Sequence, residues 1–410
     1  MIMEGRISVE GNIDIQIYES FDQVSKLQKE WDKFMESMGG EVFLTYDWCC
    51  IWWKYYGKKR DLRIFIFRCN GAILGVLPMF VEKIWVGPIY AKVMKIIGTD
   101  FTLTTASLPI LKESMVEVIK LFLREVKMRG GCDIIHFGPI SGRYEFFEDF
   151  IGACDHSKGK SWHIRTKNND VQTYFKIADN WDDQIASLSH EQRRAMRRKY
   201  ERILKEGRLI ECIQASQDNF YQLFDGFVQM HQAHWQNQGK AGHFGAWPSS
   251  YEFHRDVAAI QLKHERLRLY EIKLDGSVIG YNYGYKFGDT YYYLLFGRGS
   301  FENESKTDFV RIDFGEMIKR AVKENVKWFD TMRGRYEYKL HLGGELFPIK
   351  NVYLISNNLF TRMRVTAFRL LAKGIDLCYS KIWRSRIVPR IRIKVGPFWG
   401  TWIKSCQLSD

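Results

Sequence analysis

Between Phe329 and Lys339 the chain reads FDTMRGRYEYK: an acid, two arginines about a glycine, two tyrosines and a lysine. Each type suits a step of group transfer. A carboxylate such as Asp330 can accept a proton from an attacking group, though its plainer role is to cap a strand end or loop. Arg333 and Arg335 flank Gly334 and carry the fork that grips a phosphate through two parallel hydrogen bonds; otherwise they are surface charge. Tyr338 can give up a proton or simply pack, and Lys339 can hold a phosphate or steady developing negative charge. Val326, Trp328 and Phe329 read as the end of a core strand, so this chemistry is expected where a strand leaves the interior.

A second group of candidates lies upstream. His231, His234 and Trp235 fall on the helix-like MHQAHW. Two histidines three apart invite a metal, but no cysteine or third ligand clusters with them, so no metal is expected. His231 is expected to contact or support a substrate, and Trp235 to line a groove. His243 follows the glycine-flanked GKAGHFG, a loop able to close over substrate; no strand precedes those glycines, so they are not a dinucleotide fingerprint. Tyr281, Tyr283 and Tyr291 to Tyr293 should alternate between core and groove and are given no chemistry. The chain has no G-x-S-x-G elbow and no Walker-type phosphate loop.

The segment SLSHEQRRAMRRKYERILKEG predicts a helix from about His190 to Glu206, opened by a capping box of Ser189 and Gln192 and ended by Gly207. Its arginines at 193, 194, 197, 198 and 202 include three pairs four residues apart, each costing about 0.2–0.5 kcal/mol in an isolated helix. Either the face is simply solvated or it meets an anion, in which case Arg194 and Arg198 are the substrate contacts.

The elements that position these residues come from a repeat. LRIFIFRCNGAILG (Leu62 to Gly75) and LRLYEIKLDGSVIG (Leu267 to Gly280) align without a gap, each a strand, an Asn-Gly or Asp-Gly turn and a second strand. A helix follows each hairpin, with Val116, Ile119, Leu123 and Val126 on one face in the first copy and Phe314, Met317, Ile318 and Ala321 in the second. A short apolar strand follows each helix. The expected fold is α/β (α+β), with two modules of mixed, mostly antiparallel sheet flanked by helices, over residues 1–165 and 166–350. Residues 351–410 form a basic C-terminal helical segment, in which Met363, Ala367, Leu370 and Leu371 align. That segment mixes tryptophans with lysines and arginines and suits either an anionic membrane surface or packing on its own protein.

Length and composition bound the rest. A chain of 410 residues exceeds one usual core, and 46% hydrophobic content argues against disorder over most of it. No run of about 18 apolar residues predicts a transmembrane helix. The opening MIMEGRISVEGNIDIQIYES lacks the regions of a signal peptide, and the eight cysteines include no C-x-x-C pair, so reduced thiols in a cytoplasmic setting are expected. A net charge of +13 favours anionic partners.

Taken in order, FLTYDWCCIWWKYYG, NGAILGVLPMF, SLSHEQRRAMRRKYERILKEG, MHQAHWQNQGKAGHF, LDGSVIGYNYGYKFGDTYYYLLFG and FDTMRGRYEYK resemble the CelD-like polysaccharide-biosynthesis acyltransferases of the acetyltransferase (GNAT) superfamily, relatives of the Fem-type aminoacyltransferases. The resemblance covers roughly residues 10–350. It implies tandem GNAT-like modules facing one another across a groove. The implied reaction moves an acyl group from acyl-CoA to an amine, less often a hydroxyl, of a sugar-nucleotide, polysaccharide or envelope precursor. On that reading Tyr338 and Lys339 match the family's Tyr-Lys pair, and Asp330 is the base.

The chain departs from the family at ESKTDF, where relatives carry a Ser-Pro-Gly-like turn that opens a helix under the coenzyme A pyrophosphate. Ser305, Lys306 and Thr307 remain able to cap the helix and contact phosphate, while Asp308 adds negative charge and no glycine eases close backbone approach. Two other readings stay open. One is Fem-like transfer from aminoacyl-tRNA, with the basic helix on RNA phosphates, although the long helical hairpin of those proteins is missing. The other is a non-catalytic binding subunit of a polysaccharide-synthesis assembly. Nucleic acid other than tRNA is not expected as a partner.

Overall fold

A computed structural model describes residues 12–102, 104–196, 207–240, 242–299, 306–387, 390 and 399–409. The strands are β1 (Asp14–Tyr18), β2 (Asp61–Cys69), β3 (Ala72–Val86), β4 (Ile89–Ile96), β5 (Ile134–Ile140), β6 (Trp162–Lys176), β7 (Ile210–Gln214), β8 (Leu267–Leu274), β9 (Ser277–Phe287), β10 (Thr290–Arg298), β11 (Trp328–Arg333) and β12 (Glu345–Ser356). The chain divides into two compact units. The first comprises Met1–Asn168, Lys350–Asp376 and Gly400–Asp410; the second comprises Asn169–Ile349 and Leu377–Trp399.

In the first unit the strand order is β1-β2-β3-β4-β5-β12. Every neighbouring pair is antiparallel except β4 and β5, which run parallel. The β2–β3 hairpin turns on Asn70 (φ 50°) and Gly71 (φ 83°), the left-handed pair such a turn demands. The helix Met115–Met128 buries Val118, Ile119, Phe122, Leu123 and Val126. Val116, expected on that face, is 39% exposed, because it sits in the first turn at the edge of a stripe centred on Ile119 and Phe122.

Residues 400–409 are tied into this unit by a buried network of charge. Arg60 donates to Glu82 at 3.1 Å and to both oxygens of Asp100 at 3.3 and 2.8 Å. Lys95 lies 3.6 Å from Asp100 and donates to the carbonyl of Lys404 at 2.7 Å, while the Lys404 ammonium donates to Glu82 at 2.8 Å. Burial alone would raise the Asp100 carboxyl; Arg60 and Lys95 outweigh it and hold it below the usual range. Gln407 adds a bond to the Thr99 carbonyl at 2.6 Å.

The helix Leu359–Leu377 buries a stripe other than the one that aligns as Met363, Ala367, Leu370 and Leu371. Val365, Phe368 and Ala372 pack into the core with Val93, Ile134 and Tyr353. Met363, Leu370 and Leu371 point away from it and are exposed. The helix carries two apolar stripes, and alignment of one at helical spacing could not tell which of them faces the core.

The second unit repeats the plan. Its order is β7-β8-β9-β10-β11-β6, with β10 and β11 parallel and every other pair antiparallel. The hairpin again turns on positive φ, at Asp275 (50°) and Gly276 (77°). Phe314, Met317, Ile318 and Ala321 of the helix Lys306–Lys323 pack with Tyr270, Ile272, Tyr291, Tyr293 and Phe329 in one core. The two units thus share strand order and sense. Each is completed by a strand from outside its own run of five: β12 closes the first unit and β6 the second.

Candidate active site

In the second unit β10 and β11 pair over only three residues, Thr290 to Tyr292 against Trp328 to Asp330. Beyond that point β10 carries a bulge between Tyr293 and Leu295, and β11 turns away through Met332 (φ 61°) and Gly334 (φ 105°). Parallel strands that pair briefly and then part leave backbone groups free for something other than each other.

Tyr293 is the first residue of β10 past the paired stretch. Its phenol donates to Oδ2 of Asp313, from the second turn of the helix Lys306–Lys323. Asp313 is 1% exposed, and its Oδ1 has no hydrogen-bond partner. Burial lifts its carboxyl to about 7, against the opposing effect of the Tyr293 bond. Burial also raises the Tyr338 phenol, with Tyr336 and Asp313 adding to the rise, so that it keeps its proton at neutral pH. Tyr338 packs edge-on against Phe314 with ring centroids 5.8 Å apart. Burial depresses the Arg298 guanidinium, against the opposing influence of the Tyr293 and Tyr338 phenols. A carboxyl near neutrality, bonded to the Tyr293 phenol, therefore lies where the strands part, with the Tyr338 ring packed on the adjacent Phe314.

The FDTMRGRYEYK stretch folds as β11 followed by the short helix Glu337–His341. Asp330 is fully buried; its Oδ2 accepts from the Gln172 amide at 2.6 Å and its Oδ1 from the Met332 N–H at 2.7 Å. Those bonds shape the turn in which Met332 takes its left-handed conformation. Lys339 is 3% exposed and donates to the Thr331 carbonyl at 2.6 Å. Burial lowers its ammonium to about 8, against the pull of Asp330 and Asp170. The structure thus brings Asp330 and Lys339 together and sets Tyr338 on the neighbouring side of the same helical turn. Arg333 is half-buried at the end of β11, and Arg335 is exposed, 3.9 Å from Glu337.

The upstream histidines form a separate cluster. Residues directly opposed across antiparallel strands share a face, so Tyr293, opposite Gly284, lies on the reverse side of the sheet from Tyr283 and Tyr285. On the Tyr283 side His231 donates from Nδ1 to the Phe296 carbonyl at 2.7 Å, and its buried Nε2 has no partner among the described residues. His243 and His254 share a proton between their Nε2 atoms at 2.8 Å, and His254 Nδ1 lies 3.3 Å from the Tyr283 hydroxyl. Burial presses His231 to about 4 and His254 to about 3, so both are neutral at pH 7. Trp235 packs edge-on to His231 at 6.2 Å. No group of three or more metal-ligating side chains occurs among the described residues.

The predicted capping box forms, with reciprocal bonds between Ser189 and Gln192 at 2.9 and 3.3 Å. Arg194 is exposed on the helix His190–Met196 that it opens; Arg198 and Ser305 lie outside the described residues. Lys306 and Thr307 are the first two residues of the helix Lys306–Lys323. A concave pocket of about 390 Å³ lies in the first unit, lined by Lys127, Gly131, Lys160 and Asn358 among others, and contains none of these residues.

Sequence reasoning missed Asp313, Tyr293, Arg298 and His254. A signal was present for Asp313: it is an acid between Ile312 and Phe314, four residues before Met317, all three of them buried. An acid set into a core stripe has to be neutral, paired or functional.

Residues 190–340 match the family model described as an acetyltransferase (GNAT) domain. That stretch holds β7 to β11, the Tyr293–Asp313 pair and the Tyr338–Lys339 pair. Among solved structures, the chain resembles one titled crystal structure of FemX, with a TM-score of 0.59 and 12% identity over 82% of this chain and 98% of that one. A tandem GNAT protein from the clavulanic acid biosynthesis pathway matches with a TM-score of 0.43 and 8% identity, over 85% of this chain and 99% of that one. The structure of L-PGS from Bacillus licheniformis matches with a TM-score of 0.46 and 13% identity, over 84% and 96%. The FemX likeness establishes the fold; the other two scores are too low to add to it. A comparison with curated proteins finds no match.

Proposed function

We propose that the protein is an N-acyltransferase whose chemistry is centred on Asp313, moving an acyl group from an acyl-CoA thioester to an amine of a sugar-nucleotide, polysaccharide or envelope precursor. The supporting observation is the buried Asp313 carboxyl, poised near pH 7 with one oxygen on Tyr293 and the other unpartnered, in the segment that matches the GNAT model. The amine attacks the thioester carbonyl, a C–N bond forms and the C–S bond breaks. Asp313 accepts the proton lost by the amine, and the Tyr338 phenol supplies one to the departing thiolate. Asp330, the base suggested by the sequence, already accepts two hydrogen bonds in the interior, and we assign it to holding the β11 turn.

The residues present suit coenzyme A only in part. The start of the helix Lys306–Lys323 presents backbone N–H groups for a pyrophosphate. ESKTDF lacks the glycine that lets backbone approach phosphate closely. A second reading, transfer from an aminoacyl ester of tRNA, gains support from the FemX likeness over 98% of that chain.

The two donors are separated by one comparison. The purified protein is heated with acetyl-CoA, coenzyme A or aminoacyl-tRNA, and release of free thiol is followed with an amino-sugar nucleotide as acceptor. Thermal protection and thiol release with the CoA ester support the first reading. Protection by aminoacyl-tRNA alone, falling steeply with salt, supports the second. Thiol release undiminished in Asp313→Asn would overturn the placement of the chemistry.

A further inference from the structure

The outward side of the helix Leu359–Leu377 has no partner among the described residues. Phe360 is 81% exposed, Leu359 68%, Met363 64% and Leu370 63%, and Leu371 is exposed beside them. These are five of the thirteen large hydrophobic side chains exposed among the described residues, gathered on one helix. The opposite side is already committed, with Val365, Phe368 and Ala372 in the core, so no rotation of the helix would hide the outer stripe. Arg362 and Lys373 are exposed along the same surface.

The charge on this helix is one-sided. From Leu359 to Leu377 it carries Arg362, Arg364, Arg369 and Lys373 against Asp376 alone, and Asp376 accepts the indole N–H of Trp402 at 2.7 Å. No described helix is long and apolar enough to cross a membrane.

We infer that this face is a docking surface for an anionic lipid bilayer. The helix lies in the plane of the interface, Phe360, Met363 and Leu370 enter the boundary between headgroups and acyl chains, and Arg362 and Lys373 meet lipid phosphates. A second copy of the chain is a poor occupant, because pairing the face with itself would bring these cations together with no acid to answer them. An apolar protein groove would cover the leucines and leave the positive field unmatched. The docking is independent of the reaction proposed above.

The test uses the full chain with sedimented vesicles of phosphatidylcholine alone or mixed with phosphatidylglycerol. The expected result is binding to the mixed vesicles only, weakened by added salt. The double variant Phe360→Glu, Leu370→Glu is expected to lose about tenfold or more of that partitioning, since both buried apolar area and attraction are removed. Both positions are exposed, so its thermal melt should match the parent. Absence of binding to anionic vesicles, or binding unchanged in the double variant, overturns the inference. So does a lipid-free dimer, seen by sedimentation velocity, that the double variant dissociates.

Discussion

The phenol of Tyr293 donates a hydrogen bond to Asp313 in the interior of the second unit. That bond favours the charged carboxylate, and burial disfavours it more, leaving a group that exchanges its proton near neutrality.

The first prediction concerns rate. A base that titrates near 7 makes kcat/KM rise with pH through a midpoint near 7, and Asp313→Asn should remove that limb along with at least about a hundredfold of activity. Tyr293→Phe removes the bond that favours ionisation and should move the midpoint upward. A midpoint unmoved in Tyr293→Phe would count against Asp313 as the titrating group.

Stability carries the same signature. Between about pH 4 and pH 7 folded Asp313 keeps a proton that the unfolded chain has released, so this group erodes stability as pH rises through that interval. Asp313→Asn should therefore melt higher than the parent at pH 8, with the gap closing toward pH 4. Melting curves collected at several pH values give the answer.

Lys339 has the opposite dependence. Its folded ammonium is depressed, so the cost of burying the charge is present in full below about pH 8 and is relieved as pH rises toward the unfolded value. Lys339→Met keeps most of the buried stem and should cost less than about 1.5 kcal/mol near pH 7. Lys339→Ala opens a cavity and should cost about 2–4 kcal/mol. Equal losses in urea titration would show that packing is not what the stem supplies.

Asp330 is predicted to be worth more to the fold than to the reaction. Asp330→Ala strands the Met332 N–H and the Gln172 amide in the interior and should cost about 2–4 kcal/mol. Asp330→Asn retains one acceptor and should fold, with activity within about threefold of the parent if the residue only shapes the turn. A loss of several hundredfold in a well-folded Asn variant would restore it as a catalytic candidate.

Gly284 gives a prediction free of any functional reading. A Cβ there would stand 1.9 Å from the carbonyl oxygen of Tyr292, a backbone atom that cannot swing aside. Gly284→Ala should cost about 3 kcal/mol or prevent folding, read as loss of soluble protein or a collapsed melting temperature.

Much of the scaffold was legible in the residues. The two hairpins declared themselves through Asn70-Gly71 and Asp275-Gly276, because only a few residue types tolerate left-handed backbone at a two-residue turn. The helix Lys306–Lys323 followed from its spacing. What stayed hidden depended on partners far away in sequence. Asp313 is an ordinary helix acid until β10 brings Tyr293 over it. His254 is an ordinary helix residue until His243 meets it. Helical spacing likewise aligned Met363 with Leu370 without revealing that Val365 and Phe368 face the core. Even the segment that first suggested chemistry supplied types and not roles: Asp330 turned inward, and Tyr338 packed against Phe314.

The division of the strands between the two units has a consequence for biosynthesis. A nascent chain emerges from its first residue, yet the first unit lacks β12, the helix Leu359–Leu377 and the Lys404 anchor until more than 340 residues have been made. The second unit receives β6 early and has most of its sheet in hand once β11 is out. The half synthesised last is thus equipped to fold first, and the earlier half waits with Glu82 short of its second cation, and Lys95 short of the carbonyl that Lys404 offers it, until the final stretch threads home.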